Sequence, residues 1–258
     1  MKLQDKSMKT ERLSDAQWQI IEKYLTAPNR KRKHSLREIL DALFYLLKTG
    51  CQWRMLPDSY PKWELVYYYF ANWRDTELFD QINTMLREKV RRLAGKNAQC
   101  SVVIIDSQSV KTTRKGGFRG VDGNKKINGR KRHLVVDTMG NIVSNIVHPA
   151  NIHDSKGADL TLKNLKESIY GVKIVYADCG YQGQLIETVK RKHNYELKIS
   201  PKIKDMTQGK VSPKRWIIER TISWFENFRR LSKDFEFLME SSQAMIYLAS
   251  IKLLLNKI

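Results

Sequence analysis

Two stretches of strand length each end on an aspartate: the apolar Val102 to Ile105 before Asp106, and Lys173 to Ala177 before Asp178. Short runs rich in Val and Ile, bounded by Gly, Asn, Asp or Pro, read as strands. A carboxylate buried without a partner is very costly. Something positive has to meet it, either a basic side chain or a metal ion. In open α/β sheets, sites form at the carboxyl ends of strands, so two such strands can bring two acids to one edge. The plain alternative is that each aspartate caps a turn. Its weight falls when the pattern occurs twice in one strongly basic chain.

That basicity is large. The 258 residues carry 47 Lys+Arg against 27 Asp+Glu, a net charge of +20 at pH 7. A polyanionic partner is implied, and nucleic acid is the usual one. A membrane partner is not expected, because no apolar run approaches the ~20 residues of a spanning helix. The N-terminal MKLQDKSMKTERL lacks the apolar core of a signal peptide. Cys51, Cys100 and Cys179 are far apart and form no CxxC pair. The expected location is therefore a reducing cytoplasm, in association with the nucleoid.

Organisation changes near residue 100. Residues 1–98 read as an all-helical DNA-binding or dimerisation region, and 99–258 as an α/β domain. Ser14 with Gln17, and Ser35 with Glu38, form helix-start patterns, the second ahead of Leu36 to Leu47. Gly50 suits a helix C-terminus. Pro61 can open a third helix through Trp73, and Thr76 can cap a fourth ending near Gly95. Four of the six tryptophans and the run Tyr67 to Phe70 fall here and are expected in the core. Further strands are expected at Arg132–Asp137, Ile142–Val147 and Tyr195–Ile199. Helices are expected at Asp159–Ser168 and Gln184–Lys192, with a long one after Pro213.

The last helix holds a third acid. In RWIIERTISWFENFRRLSKDFE (215–236), Ile217, Thr221, Trp224, Phe228, Leu231 and Phe235 fall on one mainly apolar stripe at 100° per residue. Arg215, Glu219, Ser223, Glu226 and Arg230 lie opposite. A solvated ion-pair ladder is the plain interpretation. The alternative is a helix that packs on the sheet and turns Glu219 toward the two aspartates. Three carboxylates together raise one another's pKa, and divalent cations remove the conflict. Mg²⁺ takes hard oxygen ligands, and two ions about 4 Å apart serve phosphoryl transfer.

Residues 107–133 carry nine Lys or Arg (111, 114, 115, 119, 125, 126, 130, 131, 132) and one Asp. With five glycines among them, the stretch suggests a flexible basic arm that tracks phosphates. No GxxxxGK[ST] pattern is present. His153 and Asp154 precede the helix expected at 159. Asp154 suits a helix start, and both residues are candidates to support the acids from behind. Asp137 ends a strand before a hairpin turn and is read as structural.

The stretches IIDSQSVK (104–111), NGRKRHLVVDTMGNI (128–142), ANIHDSKGA (150–158), VYADCGYQG (175–183) and the 215–236 segment resemble bacterial insertion-sequence transposases of the DDE class, in the related groups four and five. HSLREILDALFYLLKTGCQWRMLP and YPKW resemble the same family's helical N-terminal region. The resemblance implies an RNase H-like fold, a mixed five-stranded sheet flanked by helices. It also implies that Asp106, Asp178 and Glu219 bind two Mg²⁺ ions, with Mn²⁺ as substitute. Lys111, Arg114, Lys115, Arg130, Lys131, Arg132, Arg215 and Arg230 are then candidate DNA contacts. The partners would be the terminal inverted repeats and target DNA, and the chain would act as a homodimer. Two residues of the group-four signature, a Tyr and a Lys, are replaced here by Ser212 and Glu226. The rivals are a same-fold nuclease that cuts without joining and a non-catalytic regulator that only binds DNA.

Overall fold

The computed structural model describes residues 12–25, 32–168, 171–181, 183–200 and 214–258. Ser212 and residues 29–31 of the basic 29–34 loop therefore lie outside the described residues. The N-terminal region is helical, with α1 (Asp15–Leu25), α2 (Leu36–Thr49), α3 (Trp63–Asp75) and α4 (Leu78–Leu93). Both capping patterns form. Ser14 and Gln17 bond reciprocally, and Ser35 Oγ accepts from the Glu38 N–H while Glu38 accepts from the Ser35 N–H. Gly50 closes α2 at φ 66°, a left-handed conformation that glycine adopts without strain. Thr76 does not start α4. Its hydroxyl bonds back to the Asn72 carbonyl and closes α3, and Glu77 takes the turn between them at φ 55°.

The α/β part follows as β1 (Val102–Lys111), β2 (Gly120–Asp122), β3 (Ile127–Asp137), β4 (Ile142–Pro149), α5 (Asp154–Ser168), β5 (Ile174–Ala177), α6 (Gln184–His193), β6 (Glu196–Ile199), α7 (Arg215–Glu226) and α8 (Met239–Leu255). The principal strand order is β4-β3-β1-β5-β6, with β2 as a short added strand paired to the start of β3. Pairing is antiparallel among β1, β3 and β4, and parallel from β1 through β5 to β6. This is the expected RNase H-like mixed sheet.

Three expectations about element bounds are corrected. β1 does not stop at Asp106. Its parallel pairing to β5 covers only Val102 to Ile104, while its antiparallel pairing to β3 continues to Lys111. Asp106 thus sits where one neighbour has fallen away and the other still holds the backbone straight. The helix after residue 213 ends at Glu226, and Arg229–Leu231 forms a separate tight turn. The supposed stripe is broken there, and Arg230 is not a further turn of α7. α5 starts at Asp154, five residues earlier than expected.

Side-chain alternation along β1 divides the core in two. Ile104, with Leu134 and Val136 of β3, packs against the N-terminal helices, α7 and α8. Val103, Ile105 and Val135 face α5 and α6. α5 approaches closely at Gly157, where a β-carbon would collide with the His133 ring. Among the described residues, no helix is long and apolar enough to cross a membrane.

Candidate functional site

The β1–β5 register pairs Val102 with Ile174, Val103 with Val175 and Ile104 with Tyr176. Continued by the same offset, it sets Asp106 level with Asp178. Asp178 follows β5 directly and turns back to accept the Gly180 N–H at 2.9 Å. Asp106 accepts the Ser107 N–H at 2.7 Å. Burial pushes Asp106 up to about 6 against the pull of that N–H. The charge of Asp178 pushes the same way, while Arg215 and Lys125 oppose it.

The third expected acid enters from α7, which packs on β1 and β3. Arg215 links it to the pair. Its guanidinium stands 4.0 Å from Asp178 and its Nε 3.1 Å from Glu219 Oε1. The second contact is one of charge, because that N–H is not aligned as a hydrogen bond. Glu219 itself is half exposed.

Asp106 and Asp178 make a pair of hard oxygen donors of like charge. Among the described residues no cation lies within ion-pair distance of Asp106. That donor chemistry fits a divalent cation of the Mg²⁺ kind, which would relieve the repulsion. Among the described residues, no group of three or more His, Cys, Asp or Glu stands close enough to hold a metal ion. The structure brings the two aspartates together and ties Glu219 to them through Arg215.

Asp154 reaches the residue next to Asp106. It accepts a bond from Ser107 Oγ at 3.1 Å and pairs with Lys131 at 2.8 Å. Burial alone would raise its pKa. The bond and charge of Lys131, with help from His133 and Ser107, hold it below the usual carboxylate range. His133 stacks on His148 and is bonded to it at 2.9 Å. Burial and that neighbour keep His133 far below the usual imidazole range. His153 is exposed and bonds Ser155 at 2.9 Å, so it shapes the start of α5 and does not back the acids.

The candidate DNA contacts separate sharply. Lys111, Arg114 and Lys115 are exposed. Four others are corrected, because their side chains are buried and committed to internal partners. Arg130 pairs with Asp234 at 3.3 Å. Lys131 serves Asp154, Asp122 and the Ile152 carbonyl. Arg132 donates to the Leu231 carbonyl at 2.8 Å. Arg230 pairs with Glu236 at 2.7 Å and donates to the Cys51 carbonyl. A guanidinium that satisfies buried acids and carbonyls cannot leave them for a phosphate without orphaning both. Two neighbours of the site were missed by sequence reasoning. Ser107 bridges Asp106 to Asp154, and Lys125 Nζ donates to the Ser107 carbonyl at 3.0 Å. The only available signal was that Ser107 adjoins Asp106 within the quoted IIDSQSVK.

Comparison with known proteins agrees in kind. Residues 98–254 match the family model described as "Transposase DDE domain". Residues 13–83 match one described as "Putative transposase of IS4/5 family". The chain is 31% identical over 116 residues to the "Putative transposase for insertion sequence element IS402" of Burkholderia cepacia. That match covers 42% of this chain and 54% of that protein, so it spans about half the relative's length. Among solved structures, the catalytic domain of Mos1 mariner transposase is similar at 10% identity and TM-score 0.31, covering 69% of this chain and 89% of that one. The Mos1 strand transfer complex is similar at 12% identity and TM-score 0.33, covering 90% and 78%.

Proposed function

Because the chain belongs to the transposase DDE domain family, we propose that it is the DNA transposase of an insertion sequence. The observation that carries the reading is that Asp178, directly after β5, lies close enough to Asp106 on the adjacent parallel β1 for the two charges to oppose each other, while Asp106 is partly buried and has no ion-pair partner among the described residues. In this account Asp106, Asp178 and Glu219 would hold the divalent ions, two Mg²⁺ per site, with Mn²⁺ able to substitute. Bound ions of that kind stabilise the attacking and leaving oxygens in phosphoryl transfer.

The chain's own residues supply position and charge. β1 and β5 fix the two aspartates, and Asp154 holds the Ser107 side chain beside Asp106. Arg215 draws Glu219 and Asp178 toward one cation, offsetting their repulsion, and reaches toward the scissile phosphate. Lys111, Arg114 and Lys115 bind the backbone of the DNA. Water attacks the phosphodiester at the element's end, and the bond to the departing 3′ oxygen breaks, leaving a 3′-OH. That hydroxyl then attacks a phosphodiester of target DNA. One P–O bond forms as another breaks, so no covalent protein–DNA intermediate is needed. The N-terminal helices bind the terminal inverted repeats, and two copies act together on the paired ends.

The test is a supercoiled plasmid carrying the gene's natural flanks, incubated with the protein and Mg²⁺ or Mn²⁺. Wild type is expected to leave 3′-OH ends at the element boundaries and to join them to target. Asp178→Ala is expected to bind the flanks and cut nothing. Cuts without joined products would identify a nuclease of the same fold. A second reading, a regulator that binds without cutting, draws on the missing three-acid cluster among the described residues. Tight binding by wild type with no cuts in either metal would select it.

A further inference from the structure

Arg130 lies in β3 on the same sheet face as Asp106. It pairs with Val110 of β1, four residues beyond Asp106 and so ~13 Å along the strand. Its side chain is 0% exposed. Besides Asp234, it donates to the carbonyls of Phe118 at 3.0 Å, Glu236 at 2.9 Å and Phe237 at 2.7 Å. One guanidinium thus fastens two irregular segments, 112–119 and 234–238, against each other. A parallel bridge between Thr112 and Asp234 adds to the join. Gly117 lies so close to the Phe237 carbonyl that a β-carbon would collide with it.

The join has an odd result. It holds Phe118 81% exposed and Phe237 70% exposed, with Val121 and Leu238 exposed nearby. Single exposed apolar residues are ordinary. Two aromatic residues presented by one buried arginine are a built surface. Arg114, Lys115 and Arg119 are exposed on the 112–119 segment and Lys111 at the end of β1 just before it, and among the described residues none pairs with an acid. Cations beside open aromatic rings suit a strand whose phosphates are negative and whose bases are free to stack. An apolar protein face would leave those cations uncompensated.

We propose that Phe118 and Phe237 form a stacking platform for unpaired DNA bases beside the cleavage point, with Lys111, Arg114, Lys115 and Arg119 holding the adjoining phosphates. The proposal rests on the transposase reading and names the form of DNA that the site takes. A distance of ~13 Å corresponds to about four base-pair steps of duplex. The platform therefore meets DNA just beyond the phosphodiester at Asp106.

The experiment titrates the full chain against two labelled oligonucleotides at low salt. One is a perfect duplex. The other is the same duplex with a short non-complementary tail that contains 2-aminopurine. Wild type is expected to bind the tailed probe about tenfold more tightly and to quench its fluorescence. The double variant Phe118→Ala, Phe237→Ala is expected to lose both effects and keep its affinity for plain duplex. Phe118→Leu with Phe237→Leu preserves apolar volume, removes the rings and is expected to behave the same way. Equal wild-type affinity for the two probes would overturn the platform and leave the transposase reading intact. So would a preference that survives in both double variants. Failure of wild type to bind either probe would remove both readings together.

Discussion

At the residue scale, Asp106 carries a conflict that can be measured without DNA. An acid whose folded pKa lies above its unfolded value costs nothing below about pH 4, where both states are protonated. The cost grows as pH rises from about 4 and is complete above about 6, the value to which burial and Asp178 push it. Asp106→Asn is therefore expected to match wild type in stability near pH 4. Near pH 7 it should exceed wild type by on the order of 2 kcal/mol in denaturant unfolding. Mg²⁺ should narrow that gap by stabilising wild type alone. The basic residues divide just as clearly. Arg130→Ala strands Asp234 in the core and should cost about 3–5 kcal/mol. Lys115→Ala should leave stability within about 0.5 kcal/mol while lowering the salt dependence of DNA binding by about one charge. Composition could not separate these two lysine and arginine sets. The partners of Arg130 and Lys131 are Asp234, Asp122 and Asp154, which reach their places only through tertiary contact.

At the scale of elements, local chemistry was easy to read and pairing was not. The Ser35–Glu38 box and Gly50 fix the ends of α2 through bonds within a few residues, and both formed as expected. β1 ran past its expected end because β3 continues to pair with it, a contact the apolar run does not encode. Alternation along Arg130-Lys131-Arg132-His133 sends two residues to each face, toward different acids and carbonyls. Read as a linear basic run, the same four residues look like a solvated arm. Asp137 shows the opposite case. Its expected structural role holds, since it accepts the N–H groups of Met139 and Asn141 within the β3–β4 turn. It also pairs with Arg91 of α4 at 2.9 Å, both side chains being buried. Arg91→Ala should cost about 3–5 kcal/mol. The loss should appear as one lowered midpoint for the whole chain, followed by far-UV circular dichroism.

For the molecule as a whole, the apolar core on one face of the sheet is shared by distant parts of the chain. Ile39, Leu43 and Phe70 from the N-terminal helices pack in the same cluster as Leu248, Ile251 and Leu254 of α8. A chain cut before residue 239 should then lose its cooperative transition and yield to protease throughout α1–α4, not only in the sheet. Protection of an intact N-terminal fragment would contradict that expectation. The change of pattern near residue 100 marked where helices give way to strands. It could not show that the last helix returns to complete the first four, because amphipathic faces do not name their partners. That return has a consequence for synthesis. At about 5–20 residues per second, α8 leaves the ribosome on the order of 10–30 s after α4, some 160 residues later. During that interval the N-terminal helices expose the surface that α8 will cover. The nascent chain becomes a stable folded protein only once α8 has emerged.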